Sequence, residues 1–356
     1  MGFVSSIDDF QRRHPKAGFP LAVIYKYVDD QGGYLAALIT YYGFVSLFPL
    51  MLLFTTILGV VLQNNQELKE QILNTAFEQI PVIGTQLQDP EGLSGSTTAV
   101  VIGLVGAIYG GLGVSVATQN AMNVIWAVPR NSRPNPITVR VRGAALLGSI
   151  GFALVALVGV NIVAGRLGSP WQTFAPYVAV VLGGVVFTVL FRHGTARSVT
   201  VLDVLPGAVI AALGWQGLQQ FGTFYITRVI ARSRDVTGVF AVVLGLIAFL
   251  YLAAVLLVVC LEINAVRKDK LYPRALLTEF TDNVQLLPGD VAAYTRYAKA
   301  QRNKGFQVIE TTFPNPLDDP DAATEDFREL APRAAAQPPA PRQQAPMAAR
   351  PAAPAA

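Results

Sequence analysis

Ionised side chains are scarce in this chain of 356 residues: Asp, Glu, Lys and Arg make up 14% of it, against about a quarter in a soluble domain. Cysteine occurs once, as Cys260, so no intrachain disulfide can form. Histidine occurs twice, as His14 and His193, in different segments and with no carboxylate cluster beside either. There is no pair of histidines at helical spacing, no CxxC and no phosphate-binding loop. A metal-dependent nuclease or hydrolase therefore lacks its ligand set, and the chain cannot hydrolyse ATP by itself. The first twenty residues lack an unbroken apolar stretch, because Asp8, Asp9, Arg12, Arg13, His14 and Lys16 interrupt it. No cleaved signal peptide is expected there.

The chain is rich in uncharged apolar sequence. Hydrophobic residues make up 52%, the mean hydropathy is +0.44, and the apolar residues gather in six runs at 36–62, 98–126, 143–165, 174–191, 204–227 and 238–265. A helix rises about 1.5 Å per residue and a bilayer core is about 30 Å thick, so roughly 20 such residues span it. The expected fold is all-α: a polytopic membrane protein with a bundle of six transmembrane helices, short amphipathic helices and a disordered C-terminal tail. The net charge of +4 arises mainly from arginines in loops beside the membrane, which is no nucleic-acid footprint.

Basic residues flanking the runs set an orientation, because translocating them is disfavoured. One set of segments carries Arg12, Arg13, Lys16 and Lys26, then Arg130, Arg133, Arg140 and Arg142, then Arg192 and Arg197, then Arg267, Lys268, Lys270 and Arg274. The alternate loops carry Lys69, Arg166, and the dissenting trio Arg228, Arg232 and Arg234. Six spans with both termini in the cytoplasm of a bacterial inner membrane satisfy this bias. The organisation then reads as a cytoplasmic N-terminal segment (1–35), a six-helix membrane domain (36–266), juxtamembrane helices (267–310) and a Pro/Ala-rich tail (311–356). Asp290 is a candidate N-cap in the third of these. The first outer loop places Leu68, Ile72, Leu73, Phe77 and Ile80 at helical spacing with glutamates between them, as in an amphipathic helix that Pro81 ends.

Polar residues inside apolar helices are costly unless paired, so each is a candidate for function as well as for packing. Tyr42, Ser46 and Pro49 share one face of the first span, next to Tyr41. Gln119, Asn120 and Asn123 cluster at the end of the second, and Gly106 and Gly110 are a pair suited to close helix contact. Pro206-Gly207 opens the fifth span, which also carries Trp215, and Glu262 and Asn264 end the sixth; Glu262 is the one acidic residue within the six runs. In the expected orientation Tyr41, Tyr42, Ser46, Asn120, Asn123, Pro206, Gly207, Glu262 and Asn264 fall in the cytoplasmic half. A cytoplasm-facing polar cavity is therefore expected, lined by Tyr41, Tyr42, Ser46, Pro49, Asn120, Asn123, Trp215, Glu262 and Asn264. Arg140, Arg142, Arg192 and Arg267 would form its basic rim. No catalytic residue, metal site or cofactor is expected.

Several of these strings together resemble the YihY/BrkB family of bacterial inner-membrane proteins, once labelled ribonuclease BN. They are Tyr-Tyr-Gly-Phe-Val-Ser-Leu-Phe-Pro from Tyr41 to Pro49, Ala-Met-Asn-Val-Ile-Trp ending at Trp126, Pro206-Gly207-Ala208 leading to Trp215, and the stretch from Gly238 through Tyr251 to Glu262-Ile263-Asn264-Ala265. The resemblance covers 34–266 and departs at Phe249, where the family often has tryptophan. It implies a six-helix membrane protein with no settled activity, linked in some members to envelope lipids. Three functions compete: a transporter or flippase-like protein for an envelope lipid or anionic amphiphile, a non-transporting scaffold or envelope-assembly partner, and a ribonuclease, which the missing ligand set disfavours. The expected partners are membrane lipids and other copies of the chain, not nucleic acid.

Overall fold

The computed structural model describes residues 10–11, 13–61, 70, 97–228, 236–276, 278 and 284–313. The expected amphipathic helix at 68–80, apart from Glu70, and the tail beyond 313 lie outside the described residues. Among the described residues there is helix and no strand. A short 3-10 turn at Pro15–Gly18 leads into α1, Phe19–Asp29. Six long helices follow: α2, Gly32–Val61; α3, Thr97–Ile125; α4, Pro136–Leu167; α5, Ser169–His193; α6, Val201–Arg228; and α7, Val236–Asp269. A short α8, Pro288–Ala300, comes after them.

Over the described residues, Pro136–Leu157, Pro176–His193, Val201–Phe224 and Val243–Asp269 are long and apolar enough to cross a membrane, and Gly32–Leu47 is a shorter apolar helix. The outer surface of the bundle is as apolar as its interior: Phe152, Val155, Val181, Leu213, Phe221 and Leu244 are all exposed. Water would not tolerate so continuous an apolar surface, whereas lipid does. Several helices extend past their apolar runs. α4 begins seven residues before its run at 143, where Asn135 accepts the Thr138 N–H at 2.8 Å and Pro136 starts the first turn. The apolar run marks what hydrocarbon covers, while the cap decides where the helix starts. Between α4 and α5 the chain turns at Gly168, whose φ of 85° lies in the left-handed region that favours glycine.

The helices alternate in direction, with α2 against α3, α3 against α4, α4 against α5, α5 against α6 and α6 against α7, while α7 also packs on α1, α2 and α3. Two joints explain several unusual residues. Tyr42, Ser46 and Pro49 of α2 lie against Gly113, Gly110 and Gly106 of α3, where any Cβ would collide with them. The polar face of the first span is therefore a helix–helix interface, with the Ser46 hydroxyl donating to the Gly43 carbonyl at 3.0 Å. The second joint repairs the proline in α6. Pro206 has no N–H for the Leu202 carbonyl, and Arg267 donates to that carbonyl instead at 3.0 Å. Asn264 of α7 accepts the Gly207 N–H at 2.8 Å and donates to the Val204 carbonyl at 3.1 Å. The close approach needs glycine, since a Cβ on Gly207 would meet the Cys260 carbonyl and the Asn264 amide.

Chain contacts divide the molecule into two units, Met1–Leu276 with Leu286–Thr312, and Leu277–Gln285 with Phe313–Ala356. All eight helices named above belong to the first, so α1 and α8 are part of the same compact body as the long helices. The α6–α7 joint yields a test. Gly207→Ala overpacks it and should cost about 1–3 kcal/mol. Gly217→Ala, with open space around its position, should be neutral or gain up to about 1 kcal/mol of helix propensity. Thermal unfolding of the two purified variants checks the contrast.

Candidate functional site

At the end of the bundle where α3, α5 and α7 finish and α4 and α6 begin, the chain buries a set of ionisable groups. They come from three segments far apart in sequence. α1 is apolar on one side, yet its buried face carries Ala22, Val23, Tyr25 and Lys26. Asp29 and Asp30 follow at its C-terminal turn, where Asp30 donates its N–H to the Lys26 carbonyl at 2.9 Å. This pattern aims Lys26 and both aspartates at the end of α7, and Lys26 at Glu262. Lys26 Nζ lies 2.5 Å from Asp30 Oδ2 and 3.4 Å from Glu262 Oε2, and the Tyr297 ring of α8 covers it at 5.3 Å. Glu262 has no exposed surface.

Beside this triad stands a second one. Arg274, fully buried, donates through Nη1 to Asp29 at 2.8 Å and through Nε to Asp290 at 2.6 Å. Its guanidinium lies over the rings of Tyr25 and Tyr294 at 5.5 and 5.2 Å. Its carbonyl accepts from Gln11 Nε2 at 2.6 Å. Asp290 is in the first turn of α8, not at its N-cap: its carboxylate accepts the Leu287 and Ala275 N–H groups, each at 2.9 Å. It thus ties the start of α8 to the segment after α7. Tyr297 donates to Asp29 at 3.2 Å and joins the two triads. We refer to the whole assembly as the clasp.

A further pair of arginines closes the same end. Asp269, the last residue of α7, accepts from Arg197 at 2.7 and 2.8 Å and pairs with Arg296 of α8 at 2.8 Å. Arg197 also lies over the ring of the buried Trp126 at 5.2 Å. The electrostatics follow from burial. Burial pulls the Lys26 ammonium down, but the carboxylates of Glu262 and Asp30 outweigh it and hold it above its ordinary value. Burial pushes the Asp30 carboxyl above the usual range, against the pull of Lys26. Burial lowers Arg274, and its aspartates more than reverse that, while burial and then the neighbouring carboxylates raise the Tyr297 hydroxyl.

The residues expected to line one polar cavity are not brought together. Tyr41 is exposed on the bundle surface with its ring edge-on to Tyr42 at 5.2 Å. Tyr42, Ser46 and Pro49 are in the α2–α3 interface, and Asn264 is in the α6–α7 joint. Asn120 is exposed and accepts from Arg133 at 3.2 Å. Asn123 is buried and holds the loop after α5, accepting the Ala196 N–H at 2.8 Å and the Thr195 hydroxyl at 3.3 Å. Gln119 donates to the Val139 carbonyl at 2.9 Å. Of the expected rim, Arg140 and Arg192 are exposed, while Arg142 donates to the Thr195 carbonyl at 3.2 Å and Arg267 to that of Leu202. Among the described residues, each of these side chains except Tyr41, Arg140 and Arg192 serves a packing or capping contact. The site that does form, around Glu262, uses Lys26, Asp29, Asp30, Arg274, Asp290 and Tyr297. The sequence signal for it was a helix of amphipathic pattern whose buried face carries a lysine.

Among the described residues, Trp215 of the expected set lines a cavity, and that cavity is apolar. It has a volume of about 220 Å³ and receives side chains from all six long helices, among them Thr40, Ser115, Thr118, Phe187, Trp215 and Ala253. Trp215 stands edge-on to Phe249 at 6.0 Å. Thr40 is eight residues into α2 from Gly32, about 12 Å at the helical rise, so the cavity lies within the bundle on the inner side of the clasp. Among the described residues no group of His, Cys, Asp or Glu has an arrangement that could hold a metal ion.

The clasp makes its own prediction. Arg274→Met would leave Asp29 and Asp290 buried without their cation, and should cost about 3–5 kcal/mol. Asp203→Asn, which removes the partly exposed pair with Lys268, should cost no more than about 1 kcal/mol. Thermal unfolding followed by labelling of the buried Cys260 thiol measures both.

Comparison with known proteins finds relatives among membrane proteins. The chain is similar to the inner membrane protein YhjD of Escherichia coli (strain K12), with 21% identity over 291 residues, covering 74% of this chain and 85% of that protein. It is also similar to a UPF0761 membrane protein of Aromatoleum aromaticum, with 29% identity over 175 residues, covering 46% of this chain and 42% of that protein. No solved structure matches it. Residues 23–279 match the family described as Virulence factor BrkB, a span that includes α1 from Val23 onward, all six long helices and Arg274; the chain belongs to the BrkB family of membrane proteins.

Proposed function

We propose that the bundle binds an amphiphilic component of the envelope, of the lipid class, and passes it across the membrane, with the clasp in the cytoplasm as the closed end of its path. The observation that carries this reading is the cavity of about 220 Å³ on which all six long helices converge. Protein interiors are close-packed, and empty volume in a core is destabilising. This space is unfilled and partly open, so an acyl chain can enter it. Apolar walls with the hydroxyls of Thr40, Ser115 and Thr118 suit an acyl chain near its polar junction. The cytoplasmic orientation draws on the exposed Arg130, Arg140, Arg192, Lys299 and Lys304 at the clasp end.

The alternative, a non-transporting scaffold, draws on an open groove of about 780 Å³ beside α8, lined by Leu287, Val291, Arg296 and Lys299 among others. A nuclease gains no support, since His14 and His193 are exposed and on separate elements.

Ala253→Phe separates the two readings, because it fills the cavity without touching the clasp. In proteoliposomes the wild-type protein should accelerate transbilayer movement of a fluorescently tagged phosphatidylglycerol over protein-free vesicles. Ala253→Phe should abolish that acceleration while its thermal stability is kept or raised. No acceleration by the wild-type protein, or full acceleration by Ala253→Phe, would contradict the transport reading.

A further inference from the structure

The clasp holds more acids than bases. Asp29, Asp30, Glu262 and Asp290 face only Lys26 and Arg274 as their cations. Every one of these side chains is at most 8% exposed. Fully ionised, the set would bury two uncompensated negative charges, each costing several kcal/mol. Hydrogen bonding shows how unevenly the four acids are served. Asp290 takes Nε of Arg274 and two backbone N–H groups. Asp29 takes Nη1 of Arg274 and the Tyr297 hydroxyl. Asp30 takes the ammonium of Lys26. Glu262 is left over: neither of its carboxyl oxygens accepts a hydrogen bond, although both are buried. The cation nearest it, Lys26 at 3.4 Å, is shared with another acid, because Asp30 Oδ2 stands 2.5 Å from the same Nζ and brings the two carboxyls together.

Two carboxylates that close repel, but a carboxylic acid beside a carboxylate forms a strong hydrogen bond. We infer that Glu262, Asp30 and Lys26 form a proton-binding site, in which a proton on Glu262 is donated to the Asp30 carboxylate while Lys26 remains an ammonium. The charges then balance within the triad: one cation, one anion and one neutral acid. The buried oxygens of Glu262 gain the partner they lack. Lys26 is already the cation between the two carboxyls, and among the described residues no group of His, Cys, Asp or Glu could hold a metal ion, so a proton is the ligand that fits. Releasing it to solvent leaves two anions over one ammonium, which loosens the hold of α1 on α7 and makes that contact dependent on pH.

The titratable groups around Glu262 are few. α1 and its turn bring Lys26, Tyr27, Asp29 and Asp30, the segment after α7 brings Arg274, and α8 brings Tyr297 and Asp290. Asp203 of α6 is held by Lys268. α2 and α3 contain no ionisable side chain except tyrosines, and Cys260 is buried on α7 itself.

The site goes beyond the transport reading and does not need a transported substrate, so its test and that of the lipid probe fail separately. The experiment is infrared spectroscopy of the purified full-length protein near neutral pH, in water and in deuterated water. The expected result is a carbonyl stretch of a protonated carboxylic acid that shifts in deuterated water and disappears as pH is raised. That band should be lost in Glu262→Gln and should move in frequency in Asp30→Asn, which removes the acceptor but leaves the acid. Absence of the band from the wild-type protein would overturn the inference, and that measurement needs no variant. So would a band that persists undiminished in Glu262→Gln, or one unmoved in Asp30→Asn.

Discussion

The end of this bundle is organised by the burial of Glu262. A carboxyl without exposed surface, on a helix whose other residues are almost all apolar, is tolerated only where something meets it. That something is Lys26, which is itself buried and needs Asp30. The placement of α1 against α7 follows from this requirement. Asp29, the neighbour of Asp30, then calls for Arg274, and Arg274 is shared with Asp290 of α8. One buried acid thus propagates through a chain of charges into the positions of two helices that lie outside the apolar runs. Ion pairs of this kind add little net stability compared with apolar packing, but removing one member leaves a buried charge and is costly. Their value is in specifying one arrangement, and in making it sensitive to protonation.

How much of this could be read in the sequence depended on distance along the chain. The six apolar runs mark six long helices because hydrophobic length is a local property. The close-contact pair Gly106 and Gly110 was legible for the same reason, and the structure seats Pro49 and Ser46 on it. The polar residues were visible but their partners were not. Asn123, Asn264 and Arg267 each look like lining for a cavity when seen alone. Each is instead bonded to backbone groups, at the loop after α5 or at the turn of α6 loosened by Pro206. Their clustering toward one end coincides with loops and helix ends whose backbone groups they bond. Lys26 counted in the sequence only toward orientation: Asp30 lies one turn on, but Glu262, which both of them meet, lies on a helix more than two hundred residues away. Asp290 was recognised as a helix-start residue, but its position inside the first turn depends on Arg274 and Ala275 reaching it.

The consequence for function is a division of labour within the membrane domain. The polar groups build the closed end, and the open volume lies further in, among apolar side chains from every long helix. A polar passage would have admitted water and ions along the whole bundle. On the transport reading we propose, an apolar cavity behind a charged closure would suit an amphiphile, whose apolar part would rest in the cavity while its polar part waited on the state of the clasp. A proton at Glu262 gives that closure a chemical lever without any nucleotide or metal, and the chain has no phosphate-binding loop that would supply a different one.

The central claim is that α1, the end of α7 and α8 are one cooperative clasp. Hydrogen–deuterium exchange of the full-length protein, resolved by peptide, tests it most directly. The account predicts that the amides of α1 and α8 are both protected in the wild-type protein, and that Arg274→Met accelerates exchange in the two helices together. Rapid exchange throughout α1 in the wild-type protein, or a response confined to α8, would contradict it.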